Sequence, residues 1–243
     1  MIGLIKNALK RNFFELHFQP VADIKSGQVA HYETLLRLRL KNGKLIMPNS
    51  FIKAAESFGL MPQLDRWVVK STLEIMSNHA ELNTFINLSG TSLGDENLLD
   101  TIEYDIRHSD VEPSRIGFEI TETSAVKDVK LAECWIRRIK NLGCTFALDD
   151  FGIGFSSFSY LRMLSVDYLK IDGSFVRNVA KDPTNWALVE SMNSIAHTLG
   201  KKTIAEFVEN HDTSIALKTM GIDLGQGFYF GRPRPLDLIP RVG

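Results

Sequence analysis

The sequence predicts a closed α/β barrel whose first strand runs against the rest. Three observations carry that class. Strand and helix patterns alternate about seven times with short connections and no Pro/Gly/Ser-rich linker. A polar residue recurs at the end of almost every strand, as expected where parallel strands converge on one mouth. The chain also opens on a hairpin, and a hairpin makes its two strands antiparallel.

In chain order, residues 1–12 (MIGLIKNALKRN) form an amphipathic helix, read either as a lid packed on the domain or as a connector to an upstream module. ELHFQPVADIKSGQVAHYETLLRLR gives two extended runs around Lys25-Ser26-Gly27. Pro48-Asn49-Ser50 starts a helix through Phe58, and a longer helix runs from Pro62 to His79. In the strand at 83–89, Phe85, Asn87 and Ser89 share a face. A helix near 95–108 follows, then a strand at 115–121 with Gly117, Glu119 and Thr121 on one face and Ile116, Phe118 and Ile120 on the other. After a helix at 128–142, Thr145, Ala147 and Asp149 alternate with Phe146 and Leu148. Asp149 and Asp150 fall where that strand ends, and Gly152 and Gly154 permit a sharp turn. A short helix leads to the next strand, where Lys170 and Asp172 share a face opposite Leu169 and Ile171. Helices at 185–199 and 211–220 flank a strand and its exit loop at 202–209, and IDLGQGFYFGRP closes the pattern.

Composition sets bounds. The 243 residues are 44% hydrophobic and 23% charged with a net charge of −1, an ordinary globular balance that argues against a nucleic-acid groove or a charged tail. No apolar run approaches a membrane span. Cys134 and Cys144 form no CxxC and fall on different elements, so both are expected to be buried reduced thiols of a cytoplasmic domain.

Collected from strand ends, the polar set is Glu33, Asn87, Glu119, Asp149, Asp150, Lys170, Asp172, Glu206, Glu209 and Gln226. Any one acid after a strand is ordinarily a helix cap or a solvated rim group. Five or more at one mouth are different, because two unit charges ~4 Å apart repel by about 4 kcal/mol at an effective dielectric near 20. Either several are protonated or divalent cations neutralise them. Glu, Asn and Asp without histidine suit Mg²⁺ or Mn²⁺ better than zinc, and the six histidines show no HxH or HExxH spacing. Asp149-Asp150 could serve two ions, one carboxylate bridging. Lys170 either pairs with a neighbouring acid or holds a water or phosphoryl oxygen. By this route the chemistry is metal-dependent phosphoester hydrolysis. Gly152-Ile153-Gly154 mimics a dinucleotide fingerprint, but the third glycine is missing and two aspartates would face the pyrophosphate.

The blocks FQPVAD, ETLLR, FINLS, FEITET, LDDFGIGFSSFSYL, VDYLKID, AEFVE and QGFYFGRP, in that order, resemble the EAL domain family of cyclic di-GMP phosphodiesterases over nearly the whole chain. The resemblance implies a single domain over 1–243, a modified TIM (β/α)₈ barrel that hydrolyses cyclic di-GMP to linear pGpG. By motif match Glu33, Asn87, Glu119 and Asp149 would hold a first Mg²⁺ or Mn²⁺, and Asp149, Asp150 and Glu206 a second. Lys170 would position the water, Glu206 also matches a general base, and Glu122 would anchor the loop at 151–157. Gln19, Arg37, Asp65, Glu209 and Gln226 match positions that contact substrate or support the site. The likeness further implies an upstream sensory or GGDEF-type domain in the full-length protein. It also implies a homodimer, for which Phe158, Tyr160, Leu161 and Met163 would serve unless they are core. No DNA or RNA duplex and no membrane contact by the domain are expected. The sequence departs from the family at Thr34 (for alanine, facing away from Glu33), at Ile153 and Phe155 in the glycine loop, and at Phe207 (for glycine). An aromatic at 207 would either stack on a guanine base or fill core. The rival classes are a silent module that binds cyclic di-GMP as a sensor and a barrel kept only as an interaction platform.

Overall fold

In a computed structural model of the chain, the described residues are 1–11, 13–154 and 158–239. Asp23 makes the opening hairpin: its Oδ1 accepts from Lys25 N, Ser26 N and Ser26 Oγ at 3.0, 2.7 and 2.8 Å. Gly27 follows at φ +74°, a conformation that costs a glycine little. The turn joins β1 (Phe14–Asp23) to β2 (Val29–Arg39), which pair antiparallel, and β3 (Leu45–Ile46) extends β2 at its edge. From β2 onward the barrel strands run parallel in chain order: β4 (Thr84–Asn87), β5 (Ile116–Thr121), β6 (Thr145–Phe151), β7 (Tyr168–Ile171), β8 (Lys202–Ala205) and β9 (Leu224–Gln226). β9 then pairs antiparallel with β1, so among the described residues eight strands close into a barrel with β1 inverted. The expected antiparallel first strand is present.

Alternation sorts the strand residues into two layers. Ile116, Phe118, Ile120, Phe146, Leu148, Leu169 and Ile171 face outward into the main core. That core packs against α3 (Met61–Ser77), α4 (Glu96–Arg107), α6 (Val129–Lys140), α8 (Pro183–Thr198) and α9 (His211–Met220). Inside the barrel, Val21, Ile204 and Leu224 form an apolar plug with Tyr168, and the tilted rings of His31 and Phe85 lie beside it. Ile204 therefore shares a face with Glu206 because it is the plug beneath the acid. Gly117 is where Phe85 lies: a Cβ there would meet the ring at 2.4 Å.

α1 (Ile2–Arg11) packs on the domain, with Ile5 and Ala8 fully buried against Phe14, Leu38, Phe51 and Leu64 beside α2 (Ile52–Ser57) and α3. Two expectations need correction. Both cysteines are free, but Cys134 is exposed on α6 and only Cys144 is buried, because Trp135 and Ile136 take the inward arc of that helix. Asp172 lies past the end of β7 and caps the short α7 (Gly173–Val176), its side chain accepting from Ser174 N at 2.8 Å. No helix among the described residues is long and apolar enough to cross a membrane.

Candidate active site

Lys170 is the centre. Its side chain is inside the barrel and 1% exposed, and its ammonium lies 2.7 Å from Glu119, 3.0 Å from Asp149, 3.0 Å from Glu206 and 3.7 Å from Glu33. Burial by itself would make Lys170 less basic, but the carboxylates of Asp149, Glu119, Glu206 and Glu33 overcome it and hold the side chain charged. The same cation does not satisfy every acid. Burial raises the Glu119 carboxyl well above its ordinary range, with Glu33 and Asp149 adding to the rise against the pull of Lys170. Burial likewise pushes Glu206 up to about 8, again against Lys170. Asp150 rises to about 6 through burial and then the repulsion of Asp149 and Asp172.

Strict alternation cannot aim two consecutive side chains at one mouth. At Asp149-Asp150 the β6–β7 register shifts between Leu148 and Phe151, and Asp150 takes φ +56°, in the left-handed region where an aspartate is tolerated. This bulge brings carboxylate oxygens of Asp149, Asp150 and Glu206 within 4.8 Å of one another, a group that could hold a metal ion. On the other side Asn87 Nδ2 donates to Glu33 Oε1 at 2.6 Å, and Gln226 Nε2 donates to Glu33 Oε2. Gln19 stands in the same chain, its Oε1 accepting from Gln226 at 3.3 Å.

The donor set fits hard divalent cations. Among the described residues Glu119 Oε1 is buried with no hydrogen-bond partner. Asp149 Oδ1, although 3.0 Å from the ammonium, makes no aligned hydrogen bond. Buried carboxylate oxygens left in this way, in an all-oxygen cluster, are what a dication would complete.

Supporting residues hold the loops. Glu122, fully buried, accepts from Gly152 N at 2.9 Å and Gly154 N at 3.3 Å and from the hydroxyl of Tyr160, which fixes the start of the glycine loop. Ile153 there is exposed, and Phe155 lies outside the described residues. Asp65 does not line the cavity. Its carboxylate accepts from Ser89 N at 3.1 Å and Ser92 Oγ at 2.5 Å, tying down the chain just after Asn87. Thr34 points outward to Thr84 at 2.8 Å, away from Glu33 as expected. Of the residues expected to pair two copies, Tyr160 and Leu161 are core, Met163 is exposed, and the Phe158 side chain is outside the description.

A cavity of about 290 Å³ opens beside the acids, lined in part by Gln19, Glu33, Arg37, Glu206, Glu209 and Gln226. Arg37 is buried and donates to Leu36 O at 2.8 Å. Phe207 also lines the cavity. It is exposed, so it does not fill core, and it sits at φ +53°, which costs a bulky residue about 1–3 kcal/mol. Sequence reasoning missed Tyr160 as the partner of Glu122 and the plug beneath the acids. A tyrosine hydroxyl thirty-eight residues from its acceptor leaves no local signal.

Fold and site together define a modified TIM barrel with an acidic mouth able to hold cations. The chain belongs to the EAL domain family, which matches residues 4–233. It is 40% identical to the cyclic di-GMP phosphodiesterase PdeB of Shewanella oneidensis over 96% of this chain and 28% of that protein. It is 36% identical to the cyclic di-GMP phosphodiesterase PdeF of Escherichia coli over 97% of this chain and 32% of that one. The chain thus spans about a third of the length of these curated relatives. A solved structure of the PaMucR phosphodiesterase in complex with c-di-GMP superposes with a TM-score of 0.91 at 32% identity, covering 97% of this chain and 98% of that one.

Proposed function

We propose that this domain is a metal-dependent phosphodiesterase that hydrolyses cyclic di-GMP to linear pGpG. The observation that carries the reading is the convergence of Glu33, Glu119, Asp149 and Glu206, from four different strands or strand exits, within 4 Å of one buried ammonium. The names and bound ligand of the relatives support the same substrate.

Glu33, Asn87, Glu119 and Asp149 would hold one Mg²⁺ or Mn²⁺, and Asp149, Asp150 and Glu206 a second. Dications there supply positive charge against the phosphoryl oxygens and make water a nucleophile near neutral pH. Lys170 donates from its ammonium to the attacking water and keeps it in line with phosphorus. The water oxygen bonds to phosphorus as the bond from phosphorus to one ribose oxygen breaks, and the proton the water loses ends on that departing oxygen, which becomes a hydroxyl as the ring opens. Glu206 is assigned as a ligand, since its oxygen clusters with those of the aspartate pair. Glu122, through Gly152 and Gly154, keeps the loop beside Asp150 in place. Gln19, Arg37, Glu209 and Gln226 line the substrate cavity, Arg37 offering a guanidinium to a phosphate. Asp65 supports it from behind.

The domain acts in the cytoplasm as part of a longer chain. The length of the relatives leaves room for a sensory or GGDEF-type partner domain. Homodimerisation through the segment after the glycine loop would use Met163, which is exposed there.

Incubation with cyclic di-GMP and Mg²⁺ is expected to yield pGpG. Glu33→Ala and Asp149→Ala should each lower turnover by at least about a hundredfold with the fold intact by circular dichroism. Near-normal activity in either variant overturns the ligand assignment, and binding without turnover by the unaltered protein selects the sensor instead.

A further inference from the structure

Phe207 combines four features that a merely structural residue does not need. Its backbone is held at φ +53°, where phenylalanine is strained and glycine is not. Its ring is 43% exposed and lines the cavity beside Glu206 and Glu209. It packs on Gly173, where a Cβ would come within 2.1 Å of the ring, so the chain has a glycine where this aromatic needs space. The Arg177 guanidinium lies over one face of the ring, 4.3 Å from its centroid. The loop itself is fixed: Val208 N donates to Gln226 O at 2.9 Å and Tyr229 N to Val208 O at 3.0 Å.

A strained, water-facing aromatic at the wall of a site is built to contact a ligand. Sequence-tolerant stacking on a nucleobase is the contact an aromatic face makes best. We propose that Phe207 is a base-stacking platform, on which one purine of the cyclic dinucleotide lies while its phosphate faces the acids. The proposal rests on the phosphodiesterase reading of the same site, and it makes Phe207 a substrate-binding residue of this chain.

The test compares Phe207→Gly and Phe207→Trp with the unaltered protein. Glycine accepts φ +53° without strain, so the first variant keeps its fold. In Mg²⁺ the KM for cyclic di-GMP should rise roughly ten- to hundredfold in Phe207→Gly, with a smaller change in kcat. Phe207→Trp should restore the KM, and its new indole emission should be quenched when cyclic di-GMP binds. A KM within twofold across all three proteins, or an indole blind to the ligand, overturns the platform and leaves the phosphodiesterase reading standing. If the unaltered protein neither binds nor turns over cyclic di-GMP, both fall together.

Discussion

Asp65 illustrates how a residue can serve a site without touching it. Its carboxylate is almost fully buried and receives two hydrogen bonds from the loop that follows Asn87. Burial pushes the carboxyl from an ordinary 3.8 up to about 7, against the pull of Ser92 and Ser89 and with a small contribution from Glu56. Between those two values the folded protein binds the proton that the unfolded chain has released. Stability from this group is therefore full below about pH 4 and falls as pH rises to about 7. Asp65→Asn cannot titrate. Urea unfolding at pH 5 and pH 8 should show the variant gaining on the unaltered protein by up to about 3 kcal/mol as pH rises. Parallel losses in both proteins would mean that Asp65 is not the titrating group. Motif position alone places Asp65 among groups that contact substrate or support the site. Only the loop geometry separates the two roles.

At the scale of the element, alternation made most of the barrel legible. The faces of β5 and β7 follow from every second residue being apolar, and Glu119 and Lys170 duly lie inside, while Asn87 at the end of β4 is exposed at the mouth. Alternation fails where the backbone breaks its own period. Asp149 and Asp150 should point opposite ways, and only the bulge with Asp150 at φ +56° turns both toward the mouth. The same rule puts Asp172 in the strand, but β7 ends at Ile171 and the acid caps a helix instead. Short strands with a cap at their exit give too few residues for a period to hold. Gly117 on β5 tests the packing beneath the acids. Gly117→Ala would drive a methyl into the Phe85 ring. The overpacking should cost about 1–3 kcal/mol. In a chain of this size it should lower Tm by roughly 2–10 °C. An unchanged Tm would show that the plug under the site has slack.

Across the whole molecule, the barrel gathers like charges that no local structure would place together. Glu33 comes from β2 of the opening hairpin, Glu119 from β5, the aspartate pair from the bulge of β6 and Glu206 from the exit of β8. One buried lysine offsets only part of their repulsion, which is why burial and mutual charge hold Glu119, Asp150 and Glu206 above the ordinary carboxylate range. α1, by contrast, is bound to the flank of the domain through Ile5 and Ala8. The most direct measurement is an anomalous-difference map from crystals soaked in Mn²⁺. Two peaks are predicted, one bonded to Glu33, Asn87, Glu119 and Asp149 and the other to Asp149, Asp150 and Glu206. Manganese absent from the barrel mouth, in crystals of protein that still cleaves cyclic di-GMP, would contradict the claim that these acids exist to hold dications.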